Sequence, residues 1–211
     1  EVYRKLKSYS AKIGAERIVG VYAAKGDYDR AIMELKGLPA DKTADKIIIL
    51  GEIANLYIKK KDFREAERTA KEIVSLTSDS DAGYLILAEV YIADRRFQDV
   101  IQSLGKALKI RPNNILTHVT LAKTYIAMND FQKAMEIVNG LEKSYPKYAT
   151  VYFLQASIME MMGNKKNAVS KHKKALELSP KYVPSLNNLA YLYTEGYGSI
   201  DEAVDMAQKA K

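Results

Sequence analysis

The two histidines, His118 and His172, are the side chains best suited to proton transfer or metal binding, and neither has the company a catalyst needs. A general base needs an orienting partner and a metal needs several convergent ligands. No His/Asp/Glu cluster at ligand spacing surrounds either residue. His118 shares a column with Tyr84 and Tyr152 and reads as a packed ring in the core or at a groove edge. His172 stands among Lys171, Lys173 and Lys174 and reads as part of a solvated outer helix. Gly105-Lys106 has no glycine-rich loop before it, so its backbone amides cannot cradle a phosphate. Serines and aspartates are scattered without a nucleophile motif, and the absence of cysteine excludes disulfides and thiolate metal sites. The expectation is a protein that is not an enzyme and takes no cofactor and no metal.

Charge narrows the partner classes further. Lys+Arg 33 against Asp+Glu 26 makes the surface basic at +7, which permits acidic protein, anionic lipid or nucleic acid without selecting one. The lysine runs at Lys59 to Lys61, Lys165-Lys166 and Lys171 to Lys174 read as solvated surface. The first two fall at helix ends and turns, and cations at C-terminal ends suit the helix dipole. A nucleic-acid face wants a continuous basic stripe interleaved with aromatics, whereas the tyrosines here follow columns of their own, so no nucleic acid is expected. The longest apolar run, Ile47 to Leu50, is too short to span a bilayer, so no membrane segment is expected.

The elements that position these residues emerge from internal repetition. Pro112, Pro146 and Pro180 are spaced by 34, as are Tyr57, Tyr91, Tyr125, Met159 and Tyr193, with Tyr22 lying 35 before Tyr57. Phe63, Phe97, Phe131 and Lys165 keep the same step, and so do Ala66, Val100, Ala134 and Ala168. A column of small residues runs through Val19, Ala54, Ala88, Ala122, Ala156 and Ala190. Within a unit, Tyr84, Leu87, Ala88 and Tyr91 form one helical face. After a polar turn, Phe97, Val100, Leu104 and Ala107 form a second, and proline closes the unit. Such a hairpin cannot bury its apolar face alone and must stack on its neighbours.

These columns resemble the tetratricopeptide repeat. The unit near Asp81 supplies Tyr84, Leu87, Ala88, Tyr91, Phe97, Ala107 and Pro112 at that family's positions. The unit near Ile115 supplies Leu121, Ala122, Tyr125, Phe131, Ala134 and Pro146. Repeats start near residues 12, 47, 81, 115, 149 and 183, and residues 1 to 11, with Val2, Leu6 and Tyr9, read as a remnant or capping helix. The resemblance implies an all-α, right-handed superhelical solenoid of six helix–turn–helix repeats. The turn column holds Gly26 and Gly163 but also Lys61, Arg95 and Asn129, and these last are expected to manage without glycine, Lys61 and Arg95 outside the left-handed region. The segment from Asn187 to Ala210 also resembles late repeats of large bacterial repeat proteins.

The resemblance further implies that positions 2, 5, 9 and 12 of each first helix line a concave groove. Here they read Ile48, Gly51, Asn55 and Ile58, then Ala82, Leu85, Glu89 and Ile92. Next come Leu116, Val119, Lys123 and Ile126, then Thr150, Phe153, Ser157 and Glu160. The stripe is apolar with a polar residue at the ninth place, and an exposed apolar stripe marks a binding site. The candidate groove residues are Asn55, Ile58, Leu85, Glu89, Ile92, Val119, Lys123, Ile126, Phe153 and Ser157. The family's clamp for C-terminal carboxylates needs Lys at position 5 beside Asn at position 9, and Gly51 stands where that Lys belongs.

The expected function is a protein–protein interaction scaffold that takes a partner segment in this groove. The alternative is a structural or self-assembling module. Ile200, Ala203, Val204, Ala207 and Ala210 form an apolar stripe near the end of the chain, and self-association through it is the corresponding expectation. Glu1 in place of an initiator, and a helical pattern still running at Lys211, read as a piece of a longer protein. The compartment, cytoplasmic or bacterial envelope, stays open.

Overall fold

A computed structural model describes residues 17–77 and 79–210. Val2, Leu6 and Tyr9 lie outside the described residues. Regular structure among the described residues is helical throughout. The first helix, α1, is described over residues 17–24. There follow α2 (Tyr28–Lys36), α3 (Thr43–Lys60), α4 (Phe63–Leu76), α5 (Ala82–Ala93) and α6 (Phe97–Ile110). Then come α7 (Ile115–Ala127), α8 (Phe131–Ser144), α9 (Ala149–Met161), α10 (Lys165–Leu178), α11 (Val183–Leu192) and α12 (Ile200–Lys209).

Contacts gather into two compact units, Glu1–Asn113 and Asn114–Lys211. In the first, α4 packs on α3 before it and on α5 after it, and α3 also touches α5. In the second, α8 packs on α7 and α9, α10 on α9 and α11, and α7 touches α9. This is the stacking that the repeated apolar columns require. Ala54, Ala88, Ala122 and Ala156 are buried where neighbouring helices approach, and Ala66, Val100, Ala134 and Ala168 are fully buried on the second helices. Gly83 permits the tightest of these approaches: a Cβ there would lie 2.7 Å from the backbone nitrogen of Val74 on α4.

The turn column departs from expectation. Lys61 (φ 63°), Arg95 (φ 58°) and Asn129 (φ 57°) all adopt the left-handed conformation, as Gly26 and Gly163 do. The cause is the helix ending itself. The amide of the residue after the turn donates back to the carbonyl of the position-11 residue: Asp62 to Tyr57 at 2.9 Å, Arg96 to Tyr91 at 2.8 Å, Asn164 to Met159 at 2.8 Å. That closure requires a left-handed residue between them, whatever its side chain. Asp27, Asp62 and Asp130 then cap the second helices through their carboxylates.

The first and last repeats depart from the regular hairpin in different ways. In the first, α2 stops at Lys36 and the chain runs irregularly through Gly37 to Lys42. In the last, the chain kinks after α11 within Tyr193–Tyr197, where Gly196 takes the left-handed φ of 95°. Lys166 lies inside α10, one residue into the helix, rather than on a turn.

Candidate partner-binding surface

Helices α5, α7 and α9 carry one charged residue each and α11 none, so much of what they present to solvent is decided by apolar side chains that the core leaves out. In the first unit, Ile48 is 54% exposed and Ile92 40%, with Ile58 and Leu85 half-buried between them. Asn55 and Glu89 are exposed in the same stripe. Enough hydrocarbon surrounds the Glu89 carboxyl for burial to push it above its ordinary range, although the residue as a whole reaches solvent.

In the second unit exposure along the stripe is less even. Leu116 is 64% exposed, Lys123 is exposed, and Ile126 and Phe153 are half-buried against the core cluster. Val119, expected at the groove, is only 6% exposed and packs in that cluster with Ala122, Val138 and Leu154. It sits midway along α7, where the stripe drifts into the helix interface. Ser157 is half-buried, and its hydroxyl donates to the Phe153 carbonyl at 3.0 Å, so it is engaged with its own helix.

The larger correction concerns His172. It is fully buried, not solvated. Its ring lies 3.2 Å from Ser185 Oγ through Nδ1 and 2.7 Å from Glu160 Oε1 through Nε2. Phe153 and its ring centroid are 5.9 Å apart, and Phe153 meets Tyr182 edge-on at 5.7 Å. Asn188 Nδ2 donates to the same Glu160 oxygen at 3.3 Å. The sequence did contain the signal: His172 stands 34 residues after Val138, in a column with Leu104 and Ala70, and all of these are buried. The neighbouring lysines masked it. Ser–His–Glu geometry of this kind superficially resembles a nucleophile with its base, but Ser185 is fully buried on α11, so its hydroxyl meets no substrate.

Lys165, Lys171 and Lys173 of α10 are engaged with neighbouring repeats, and Lys174 with its own helix. Lys165 Nζ holds Glu195 at 2.9 Å, Lys171 holds Glu142 at 3.3 Å and lies over the Tyr152 ring, and Lys174 pairs with Glu177. Lys173 lies over the Tyr193 ring, whose hydrogen bond raises the ammonium above its usual value. On the outer side of the first unit, Phe63, Arg64, Glu67, Arg68, Lys71, Asp94 and Arg96 line a cleft of about 530 Å³. Arg68, Lys71 and Arg96 each already hold a carboxylate there, so the cleft is not a basic site awaiting an anion. Among the described residues no group of three His, Cys, Asp or Glu side chains converges as a metal site, and no helix is long and apolar enough to cross a membrane.

Comparison with known proteins agrees with this architecture. Residues 91–158 match the tetratricopeptide repeat family profile. No curated protein sequence matches the chain. The fold is similar to that of TTC0263, a thermophilic tetratricopeptide-repeat protein of Thermus thermophilus, at TM-score 0.63 and 19% identity, covering 86% of this chain and 98% of that one. It is also similar to MamA (residues 41 to end) of Desulfovibrio magneticus RS-1, at TM-score 0.59 and 16% identity over 78% and 91% of the two chains. YrrB, described as a tetratricopeptide-repeat protein with an unusual peptide-binding site, aligns at TM-score 0.54 and 17% identity over 87% and 90%. With its repeated columns buried as inter-helix contacts and its turns closed in the same way from unit to unit, the chain has the fold of tetratricopeptide-repeat proteins, and residues 91–158 carry that family's repeat.

Proposed function

We propose that the chain is a protein-interaction scaffold, not an enzyme, and that the first-helix face of each unit, taken by itself, offers a surface for a partner segment bearing apolar anchors. The observation that carries this reading is the exposure of the apolar side chains of Ile48, Ile92 and Leu116 at stripe positions. A protein surface tolerates single exposed apolar residues, but a row of them at one helical register marks a contact. The peptide-binding description of YrrB is in keeping with it. The partner is a protein or peptide; within the basic lysine runs Lys60, Lys165, Lys171 and Lys174 already hold carboxylates, which gives no support to nucleic acid. The test is a photo-crosslinking amino acid placed at position 92, 116 or, as an outer control, 106. Adducts with one defined protein at 92 and 116 and none at 106 support the proposal; equal labelling at all three overturns it.

A second reading, a self-assembling module, has one observation in its favour. Ile200 and Val204 on α12 are 58% and 52% exposed. Solution mass across a dilution series separates the two: a strict monomer removes self-assembly, and concentration-dependent association through residues 200 and 204 supports it.

A further inference from the structure

Glu160 is the one charged residue in α9, and α11 carries none. It occupies position 12 of the stripe, its side chain 20% exposed. Both hydrogen bonds that hold it, from His172 Nε2 at 2.7 Å and Asn188 Nδ2 at 3.3 Å, go to Oε1. Oε2 is left without a partner among the described residues. The His172 ring cannot turn away, because Ser185 fixes Nδ1 at 3.2 Å and Phe153 packs against the ring. When Nε2–H donates to Glu160, a neutral ring leaves Nδ1 to accept from the Ser185 hydroxyl. The carboxylate is therefore oriented by a buried ring in the way a ligand-holding group is oriented by its supporting shell.

The lysines on the adjacent helix make the arrangement informative. Lys165, Lys171 and Lys174 hold Glu195, Glu142 and Glu177, and Lys173 rests on Tyr193. In the most lysine-rich stretch of a basic chain, no lysine or arginine among the described residues neutralises Glu160. On the two helices that flank it, α9 and α11, Phe153 is half-buried, Asn187 exposed and Tyr191 62% exposed. Charges farther off than about 8 Å are largely screened at physiological salt, so the chain's net +7 does not cancel a carboxylate in direct contact.

We propose that the α9–α11 face of the second unit takes a segment of a partner protein in which an arginine or lysine lies beside an apolar or aromatic residue. Glu160 Oε2 receives the cation, Tyr191 and Phe153 offer the apolar contact, and His172 is the positioning residue that holds the carboxylate in place. This rests on the scaffold reading above and names the chemistry of its partner.

The experiment pans a display library of random twelve-residue peptides against the chain and against Glu160→Gln, then measures recovered peptides by fluorescence anisotropy. The chain should enrich Arg or Lys next to Leu, Ile, Phe or Tyr, and Glu160→Gln should weaken those peptides on the order of tenfold or more. His172→Leu restores the apolar type that Leu104 and Val138 show in the same column, so it should fold with unchanged helicity. It should nevertheless lose the preference for an arginine peptide over its glutamine analogue, while His172→Gln, which keeps a donor, should retain part of it. Enrichment of uncharged peptides that bind Glu160→Gln equally well overturns this inference and leaves the scaffold reading standing. Peptides indifferent to Leu116→Asp as well as to Glu160→Gln, or no enrichment at all, overturn both.

Discussion

Arg96 and Glu67 meet at 2.7 Å across a joint between repeats, 29 residues apart in the chain. Corresponding pairs span the other joints within each unit: Lys60 with Asp29, Lys171 with Glu142 and Lys165 with Glu195, at separations of 31, 29 and 30 residues. Burial alone would raise the Glu67 carboxyl, but hydrogen bonds from Lys71, Arg96 and Tyr91 outweigh it and hold the group below its ordinary range. Tyr91 is pushed up to about 12, first by burial and then by the Glu67 charge. A carboxylate depressed in the folded state stabilises above its unfolded value and loses that contribution as pH falls through the folded one. Glu67→Gln should therefore cost about 1 kcal/mol near neutral pH, with the gap closing below about pH 4.5. Urea melts at pH 7 and pH 3 check it; a gap of the same size at both would refute the pairing.

The left-handed turns make a prediction of opposite sign. A side chain in that region costs about 1–2 kcal/mol, partly offset by the extra freedom glycine brings to the unfolded chain. Arg95→Gly and Lys61→Gly should each raise stability by roughly 0.5–1 kcal/mol, while Gly163→Ala should lower it by about 1 kcal/mol. Thermal melts of the three variants decide the matter.

Glycines within helices should divide by what stands opposite them. Gly83→Ala drives a methyl into the backbone of Val74 and should cost about 1–3 kcal/mol. Gly105, in α6, has open space around its Cβ position, so Gly105→Ala should gain roughly 0.5–1 kcal/mol from helix propensity. Ala122→Leu, at a fully buried position, should behave like Gly83→Ala. Denaturant midpoints moving the same way for positions 83 and 105 would contradict the packing described here.

Gln155 is buried in the column that elsewhere holds Leu87, Leu121 and Leu189. Its amide donates to Asn139 at 2.9 Å and Glu142 at 2.6 Å, but its carbonyl has no hydrogen-bond partner. Those bonds, Gln155 first and Lys171 after burial's opposing effect, lower the Glu142 carboxyl. Gln155→Leu removes a buried unsatisfied oxygen and should stabilise by about 1 kcal/mol. In the same variant, NMR titration should find the Glu142 carboxyl higher than in the parent.

Helix α12 packs on α11 and the Tyr193–Tyr197 segment, and it leaves Ile200 and Val204 in solvent. Its amides should exchange faster than those of α8, which is covered by α7 and α9. Equal protection in a dilute monomer would show that α12 is held as firmly as the interior helices.

The 34-residue step alone determined the architecture, because each unit must bury the same face against the next: Ala88, Val100 and Ala122 are core for the reason their spacing announces. It also placed Ile92, Phe153 and Lys123 on the stripe outside those columns, where the structure leaves them wholly or partly accessible. Tertiary structure decided the rest. Val119 and Ile126 share one stripe in the sequence, yet only Val119 is taken into the core, since inclusion depends on where the neighbouring helix crosses. Arg95 and Lys61 are left-handed because a backbone closure between two helices demands it, a constraint no side chain advertises. His172 is the clearest case. Its lysine neighbours describe a solvated helix, whereas its burial arises from α9 and α11 closing over that one face. A periodic pattern specifies which face packs, but the partners waiting at that face, Glu160 and Ser185, are brought there only by the stacking of separate repeats.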